Sequence, residues 1–414
     1  MNKLVVLFLL AGLLASCEFD SYQTVTYSVN EPVFISGEEF RNSVNVTSDA
    51  RELKEYGKMC FYEGYLYLSE PGKGIHIINN ENPSNPKIVG YIELMGNQDL
   101  AIRNGFLYAD ALIDLVWFDI SNPSNPTLKG RVKNIFSRAL PFIENEYGYD
   151  NELCSAGLKK GKIVIGWELK TKSYEVRSNG EDMAFDTSPA YSHSNSNGLT
   201  GSMSRFSLYE DYLYAVIENQ MSIINLSNEV PKKATEDIYI GSDVETIFSY
   251  QDKMFMGTPS GLIIYSVEDP LRPTYCSQIW HVYGCDPVVV ENDLAYVTIH
   301  SGSFCGQNSN ELLIIDVSDV YQPRQIVSYN MVNPKGLGID NEMLFLCDDG
   351  LKIFKLTEPQ TLFSNQLVHY KGMDGYDVIP YNNTLMMIAD KGLYQYDYSD
   401  VDNIKELSFI PVNK

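Results

Sequence analysis

The residues best suited to chemistry are polar side chains that recur one or two positions before a repeated apolar residue. They comprise a lysine, an arginine and four acidic residues: Lys58, Asp99, Arg205, Glu245, Asp286 and Asp377. Mixed charge of this kind suits a polar ligand, with Arg205 opposing a carboxylate group or the acidic residues holding a cation. The competing interpretation is that these residues bond within the protein, because buried polar groups usually bond to their neighbours and to trapped water.

No stretch matches a catalytic or metal-binding motif. The sequence contains no Gly-x-Ser-x-Gly elbow, no phosphate-binding loop, no His-Glu-x-x-His and no Asp-x-Asp-x-Asp-Gly calcium loop. Its five histidines are scattered, and no Cys-x-x-Cys pair indicates zinc. We therefore assign no catalytic residue, no metal and no cofactor from the sequence.

The candidate positions belong to a repeat that covers most of the chain. Taking one aromatic or apolar residue near the start of a strand as the anchor of each unit, we find eight units, anchored at Tyr67, Tyr108, Val164, Tyr214, Phe255, Tyr296, Phe345 and Met386. Four of the seven spacings are 41 residues and the others are longer, as insertions in loops would make them. The position eight residues before each anchor is apolar in every unit, which indicates a strand facing a core.

Each unit reads as four short strands. A polar turn such as Asn104-Gly105 separates the first two strands, and a glycine such as Gly261 often opens the third. Prolines such as Pro123 and Pro126 then end the pairing before a more polar fourth strand. Four antiparallel strands per 40 or so residues, without helical periodicity, predict an all-β fold, a β-propeller of eight blades. The third unit is weak, and if it is an elaborated loop the propeller has seven blades.

The phrases Leu-Tyr-x-Ala, Gly-Leu-x-Ile and Phe-Asp-Ile-Ser-Asn-Pro-Ser-Asn-Pro resemble the LVIVD repeat. Residues 53–412 look like an LVIVD-repeat lipoprotein of the Bacteroidetes type. The resemblance extends to residues 192–206, a Gly- and Ser-rich segment ending in Gly-Ser-Met-Ser-Arg-Phe. It implies the propeller fold, and the family has no agreed activity to carry over.

The N-terminus predicts export. Lys3 precedes an apolar run that is too short to span a membrane comfortably, and the run ends in Leu-Ala-Ser-Cys, which resembles a bacterial lipobox. We expect a signal peptide at 1–16, a lipidated Cys17 with a tether to residue 53, and the propeller at 54–414. The alternative is an ordinary signal peptide followed by a chance cysteine.

Six further cysteines would then lie in an exported compartment where disulfides form. Cys285 with Cys305, or Cys276 with Cys285, are candidate bridges, whereas Cys60 and Cys347 sit in apolar strand patterns typical of buried free thiols. An insertion at about 139–201 is rich in aromatic residues, and such loops either bind ligands or cover their own blade.

Composition bounds the function. The chain has 414 residues, 44% apolar content and a net charge of −23, so it is globular and repels polyanions; we expect no nucleic-acid partner. We expect a lipid-anchored binding or scaffold module of the bacterial cell envelope. Its location would be the outer membrane, on either face, with a protein, peptide or glycan as the unknown ligand. The alternative is a propeller hydrolase or lyase acting on glycans or peptides.

Overall fold

The computed structural model describes residues 22–143, 145–177, 187–188, 204–280, 287–300 and 309–413. Within them lie eight β-sheets, two α-helices and one 3₁₀-helix. Backbone contacts divide the chain into a smaller unit, residues 1–34 and 145–191, and a larger unit, residues 35–144 and 192–414. No helix of the described residues is long and apolar enough to cross a membrane.

Seven sheets belong to the larger unit, and in each of them consecutive strands pair antiparallel as in a propeller blade. The chain reaches the first through β1 (Tyr22–Ser36), α1 (Gly37–Asn42) and β2 (Asn45–Thr47). Blade 1 contains β3 (Met59–Tyr62), β4 (Tyr65–Glu70), β5 (Gly74–Asn79) and β6 (Lys87–Glu93), with β2 added outside β6. Blade 2 contains β7 (Leu100–Arg103), β8 (Phe106–Ala111), β9 (Asp114–Asp119) and β10 (Thr127–Val132). Between blades 2 and 3 come β11 (Tyr149–Asp150), α2 (Asn151–Lys159), β12 (Lys162–Arg177) and β13 (Thr187–Ser188).

The other five blades follow in chain order. Blade 3 contains β14 (Phe206–Tyr209), β15 (Tyr212–Ile217), β16 (Gln220–Asn225), and β17 (Lys232–Lys233) with β18 (Ile238–Tyr239), both paired to β16. Blades 4 and 5 contain β19 (Thr246–Tyr250), β20 (Lys253–Thr258), β21 (Gly261–Ser266), β22 (Thr274–Trp280), β23 (Val288–Glu291), β24 (Leu294–Ile299), β25 (Glu311–Asp316) and β26 (Arg324–Asn330). Blades 6 and 7 contain β27 (Leu337–Asp340), β28 (Met343–Cys347), β29 (Leu351–Lys355), the 3₁₀-helix (Pro359–Asn365), β30 (Gln366–Tyr370), β31 (Gly375–Tyr381), β32 (Thr384–Ala389), β33 (Gly392–Asp397) and β34 (Lys405–Pro411).

The first strand of each blade contacts the first strand of the next, from β3 to β7 and onward to β31. Apolar side chains fill the space between neighbouring blades, so the core of the larger unit is a series of interfaces. Blade 7 meets blade 1 in the same way: Tyr376 and Met386 pack with Tyr56 and Met59 in one buried cluster. A parallel bridge between Leu53 and Val412 adds to this closure. The larger unit is therefore a closed ring of sheets.

Side-chain hydroxyls tie several blades to the proline turn of a neighbour. Tyr67 of blade 1 donates to the carbonyl of Pro123 in blade 2 at 3.1 Å, and Tyr214 of blade 3 donates to Pro270 in blade 4 at 2.7 Å. Ser408 of blade 7 donates to Pro83 of blade 1 at 2.6 Å. The proline turns thus do more than end strand pairing, because their carbonyl oxygens accept bonds between blades.

The glycine that opens the third strand is required by close approach of the fourth strand. A Cβ added to Gly350 would lie 1.9 Å from the carbonyl oxygen of Tyr370, and one added to Gly261 would lie 2.1 Å from that of Ile279. Gly350 also has a φ of +111°, which favours glycine. The recurring glycines of the sequence therefore hold the outer strand close to the third.

The smaller unit contains the eighth sheet, with the strand order β12-β1-β11-β13. It differs from a blade because β1 and β11 run parallel, with Asn30 opposite Tyr149. The buried Asn30 side chain donates to Asn145 Oδ1 at 2.8 Å and to the Tyr147 carbonyl at 2.7 Å. Asp150 directly precedes helix α2, and its carboxylate accepts from the Leu153 amide and caps the first turn.

The predicted fold class is confirmed: the chain is mainly β, a β-propeller of antiparallel, mostly four-stranded sheets, with eight sheets among the described residues. The third predicted unit contributes to the eighth sheet, whose strand order differs from that of a blade. The seven blade sheets of the larger unit match the alternative prediction of seven blades. Two details go beyond the prediction. The lead-in expected as a tether contains a 15-residue strand, β1, and the insertion contains a helix, α2.

The state of the cysteines agrees in part with what the sequence predicted. Cys276 is free, so it forms no bridge to Cys285. Cys347 is a buried free thiol as expected, whereas the free Cys60 is half-buried. The signal segment with Cys17, and the pair Cys285 and Cys305, lie outside the described residues.

Candidate functional site

The candidate positions converge because of how a blade is wound. In an antiparallel blade the first strand begins, the second ends, the third begins and the fourth ends on the same side. We call this side of the larger unit the upper face. Lys58, Asp99, Arg205 and Glu245 each directly precede a first strand, and Asp377 lies within β31. These five residues therefore lie along the inner rim of the upper face; Asp286 lies outside the described residues.

Asp99 and Arg205 are the pair that the structure brings together. Asp99 is 4% exposed, and its carboxylate accepts from the Ser204 hydroxyl at 2.9 Å and the Arg205 amide at 3.1 Å. The Arg205 guanidinium Nε lies 3.4 Å from the same carboxylate. These bonds join blade 2 to the strand that enters blade 3. Asp99 is thus occupied within the protein, as the internal interpretation expected.

The pKa of the Cys60 thiol is influenced by the charges of Lys58, Asp99 and Asp377. Burial raises the pKa of Cys60 to about 11; the charge of Lys58 opposes this rise, and those of Asp99 and Asp377 add to it. Asp377 is fully buried, and it packs so closely on Gly336 that an added Cβ would lie 2.7 Å from its Oδ1. Glu245 belongs to another inner strand start, where its amide donates to the Gly257 carbonyl.

Asp110, at the end of a second strand, was missed from the sequence. Its Oδ1 accepts from the amides of Gln98 and Asp99, both at 2.8 Å, and from Asn97 Nδ2 at 3.0 Å. Burial raises the pKa of Asp110 to about 7, although these bonds oppose the shift. Asp348 caps the corresponding loop of blade 6 by accepting from the Val332 and Asn333 amides. These aspartates hold the loops that carry the inner rim.

Lys335 is a second residue that the sequence did not single out. It is 6% exposed, its Nζ lies 2.7 Å from Asp374 Oδ2, and it stands 3.7 Å from the centre of the Tyr376 ring. Burial lowers the pKa of Lys335, and Asp374 opposes that shift. Like Asp99, this cation is committed to partners inside the ring.

A cleft of about 750 Å³ opens on the upper face above blade 1. Its wall combines the loop before β3, the turn between β4 and β5 and the end of β6. Charged side chains of both signs dominate this wall: Arg51, Glu52, Lys54, Glu70, Lys73 and Glu93. Its size is typical of a site for a small ligand.

Glu70 is the buried hub of the cleft wall. It is 6% exposed, and one carboxylate oxygen lies 3.2 Å from His76 Nε2 and accepts from the Tyr91 hydroxyl at 3.0 Å. Lys73 Nζ lies 3.4 Å from the other oxygen. Burial acts to raise the pKa of Glu70, but the bonds from His76 and Tyr91 and the charge of Lys73 outweigh it, so this pKa is lowered.

His76 lies behind Glu70 and is fully buried. Because an ionised carboxylate only accepts, Nε2 carries the proton toward Glu70 when the ring is neutral. Its Nδ1 has no hydrogen-bond partner among the described residues. Glu70 therefore orients a histidine that is shut off from solvent.

Arg51 lines the cleft beside Tyr91. Its guanidinium carbon is 4.4 Å from the centre of the Tyr91 ring, and Nη2 donates to Glu93. Glu93 also accepts from Asn45 Nδ2 at 3.0 Å. The hydrogen bonds from Arg51 and Asn45 lower the pKa of Glu93. Lys54 has no ion-pair or hydrogen-bond partner among the described residues.

The described residues contain no group of three or more His, Cys, Asp or Glu side chains arranged to hold a metal ion. This agrees with the chemistry of the cleft wall, where Glu70 and Glu93 are already bonded to cationic partners.

Comparison with known proteins supports the repeat and gives no activity. The model of the LVIVD repeat matches residues 96–134, 200–230 and 287–331. A search of the curated proteins found no match. Solved structures that resemble the chain include the computationally designed Ika8 protein, with 7% identity, 88% of each chain covered and a TM-score of 0.49.

Two yeast proteins are similar at the same level. Hsv2 of Kluyveromyces lactis has 11% identity and a TM-score of 0.48, covering 87% of this chain and 99% of its own. Sqt1 of Saccharomyces cerevisiae has 6% identity and a TM-score of 0.49, covering 92% of this chain and 88% of its own. Likenesses of this size say nothing about ligand or partner.

Proposed function

We propose that this protein is a binding module whose ligand site is the cleft above blade 1. The observation that carries the proposal is the cleft itself, a space of about 750 Å³ walled by charged residues. The rim residues Asp99, Arg205 and Lys335 are bonded to one another or to neighbours. The cleft therefore offers more unoccupied polar surface than these rim residues do.

Binding without catalysis fits the protonation of the cleft. A glycoside hydrolase needs one carboxylic acid that keeps its proton near neutral pH. The pKa values of Glu70 and Glu93 are both lowered, so both are ionised. His76 is buried and cannot touch a substrate. These features favour a binding module over a hydrolase or lyase.

We also propose that the module is a lipoprotein of the bacterial cell envelope, of the Bacteroidetes LVIVD type, anchored to the outer membrane through Cys17. Support comes from the lipobox-like Leu-Ala-Ser-Cys after a short apolar run. The acyl chains would hold the protein on the membrane surface. Changing Cys17→Ala should move it from the membrane fraction to the soluble fraction; unchanged membrane association would reject the anchor.

The binding proposal is tested with the chain from Glu18 onward, so that no lipid is present. Thermal shift against a panel of small metabolites, sugars and short peptides should reveal ligands that raise the melting temperature. Lys54→Ala should reduce the shift, because Lys54 lines the cleft and has no structural partner among the described residues. Lys87→Ala is the matched control, since Lys87 is exposed at the other end of β6. Shifts that Lys54→Ala leaves unchanged would place the ligand elsewhere.

A further inference from the structure

We propose that the cleft recognises its ligand through an oxyanion, a carboxylate or a phosphate, held by Arg51, Lys54 and Lys73. This inference rests on the proposed function, because it names the ligand class of the same site. It follows from which hydrogen-bonding groups of the wall are already used. Recognition would then depend on three cations that reach the cleft from two separate stretches of chain.

Two of the three carboxylates of the wall are occupied. Glu70 receives His76, Tyr91 and Lys73, and Glu93 receives Arg51 and Asn45. A metal ion or an ammonium group at Glu70 would have to displace these partners and leave the buried His76 ring or the buried Tyr91 hydroxyl unpaired, which costs free energy. Glu52, the third carboxylate, is exposed and has no partner among the described residues. A cationic ligand is therefore disfavoured at Glu70 and Glu93.

The donors of the wall are in surplus. A guanidinium carries five N–H groups, and the recorded bond of Arg51 uses Nη2. A lysine ammonium carries three; Lys73 uses two, to Glu55 at 3.1 Å and to Glu70 at 3.4 Å. Lys54 uses none within the described residues. An oxyanion supplies the several acceptor lone pairs that these donors lack.

The arginine is held in place before any ligand arrives. Its guanidinium carbon lies over the ring of Tyr91, whose hydroxyl is bonded to Glu70, which in turn is bonded to His76. Glu93 fixes the guanidinium from the side. Since a preorganised arginine loses little conformational freedom on binding, its remaining N–H groups can bind a planar or tetrahedral anion at a small entropy cost. The buried Glu70–His76 pair thus has a positioning role.

The test uses the chain from Glu18 onward and ligands on one molecular frame. Glucose, glucuronate, glucose 6-phosphate and glucosamine are titrated by calorimetry and by NMR shift mapping, with inorganic phosphate as a further probe. Glucuronate or a phosphate probe should bind at least about tenfold more tightly than glucose, the difference expected from one charge-assisted bond. Which of the two binds identifies the oxyanion.

Variants locate the effect. Lys54→Ala and Arg51→Gln should each weaken oxyanion binding about tenfold or more, whereas Lys87→Ala should leave it unchanged. Unchanged melting temperatures of the variants would show that the fold is intact. Glucose or glucosamine binding in the cleft as tightly as the anions would overturn the oxyanion and leave the binding module standing. Failure of every oxyanion probe to bind would also overturn it, and the wider ligand panel would then decide the proposed function separately.

Discussion

Asn80 of blade 1 and Gln395 of blade 7 exchange two hydrogen bonds between side chains that are 315 positions apart in the sequence. Asn80 Nδ2 donates to Gln395 Oε1 at 2.9 Å, and Gln395 Nε2 donates to Asn80 Oδ1 at 2.6 Å. Both residues are almost fully buried, at 3% and 0% exposure. The amide pair lies where the last blade meets the first, so closure of the ring is specified by polar groups as well as by apolar packing.

Breaking this pair should destabilise the ring. Asn80→Leu leaves both polar atoms of the Gln395 amide buried without partners, and we expect a loss of about 1–3 kcal/mol in the free energy of unfolding. Urea denaturation followed by tryptophan fluorescence measures it. The double variant Asn80→Leu with Gln395→Met should recover part of the loss, because no amide is then unpaired. Asn403→Ala, at an exposed asparagine, is the control; an equal effect there would contradict the role of the pair.

Gly350 should not tolerate a side chain. Gly350→Ala places a Cβ 1.9 Å from the Tyr370 carbonyl oxygen at a φ of +111°, so β29 and β30 must move apart. We expect a destabilisation of about 2–4 kcal/mol, from overpacking and backbone strain combined. Gly166→Ala is a matched control because nothing lies within 4 Å of its added Cβ. Similar melting temperatures for the two variants would show that the close approach is relaxed in solution.

Asp110 should make stability depend on pH in the direction opposite to most carboxylates. Burial raises its pKa from 3.8 to about 7, so the folded chain keeps the proton longer than the unfolded chain. The protonated group favours the folded state at acid pH, and this advantage is lost as pH rises from about 4 to about 7. Relative to Asp110→Asn, the wild type should therefore lose melting temperature across that window.

Asp119→Asn is the control for this experiment. Hydrogen bonds from Ser121 and Lys129 lower the pKa of Asp119 to about 2, so its contribution to stability is already complete above its unfolded value and is lost only below about pH 4. The difference between wild type and Asp119→Asn should stay flat from pH 4 to 7. A flat profile for Asp110→Asn as well would show that Asp110 is ionised throughout.

The residues of the inner rim were predictable because each blade is formed by strands that are consecutive in the sequence. The apolar column facing the core fixes where each first strand begins, and Lys58, Asp99, Arg205 and Glu245 follow from that position alone. The glycine before the third strand was equally visible, since its cause, the approach of the fourth strand, recurs in blades 1, 4, 6 and 7. Because the same close approach occurs in several blades, the glycine recurs at the same position of the sequence repeat.

The cleft was not predictable, because nothing in it repeats. Arg51 and Glu93 are 42 positions apart and meet only through the way in which the segment before blade 1 crosses the end of β6. The bonds of Glu70 to His76 and Tyr91 depend on strand register that the sequence does not state. Asp110 escaped notice because aspartate occurs at slightly different positions in the other units.

Every blade of the ring is built from one uninterrupted stretch, and among the described residues blade 7 contains no strand from the N-terminal side. Most strand pairings are therefore local in sequence, a property that speeds folding. The contacts between blade 7 and blade 1, such as those of Gln395 with Asn80 and of Val412 with Leu53, span the whole chain. We expect assembly to proceed blade by blade. These contacts should form last, because they close the longest loop and carry the largest loop-closure entropy. Until residue 412 has been synthesised, the chain remains an open arc whose first and last blades each expose an apolar face.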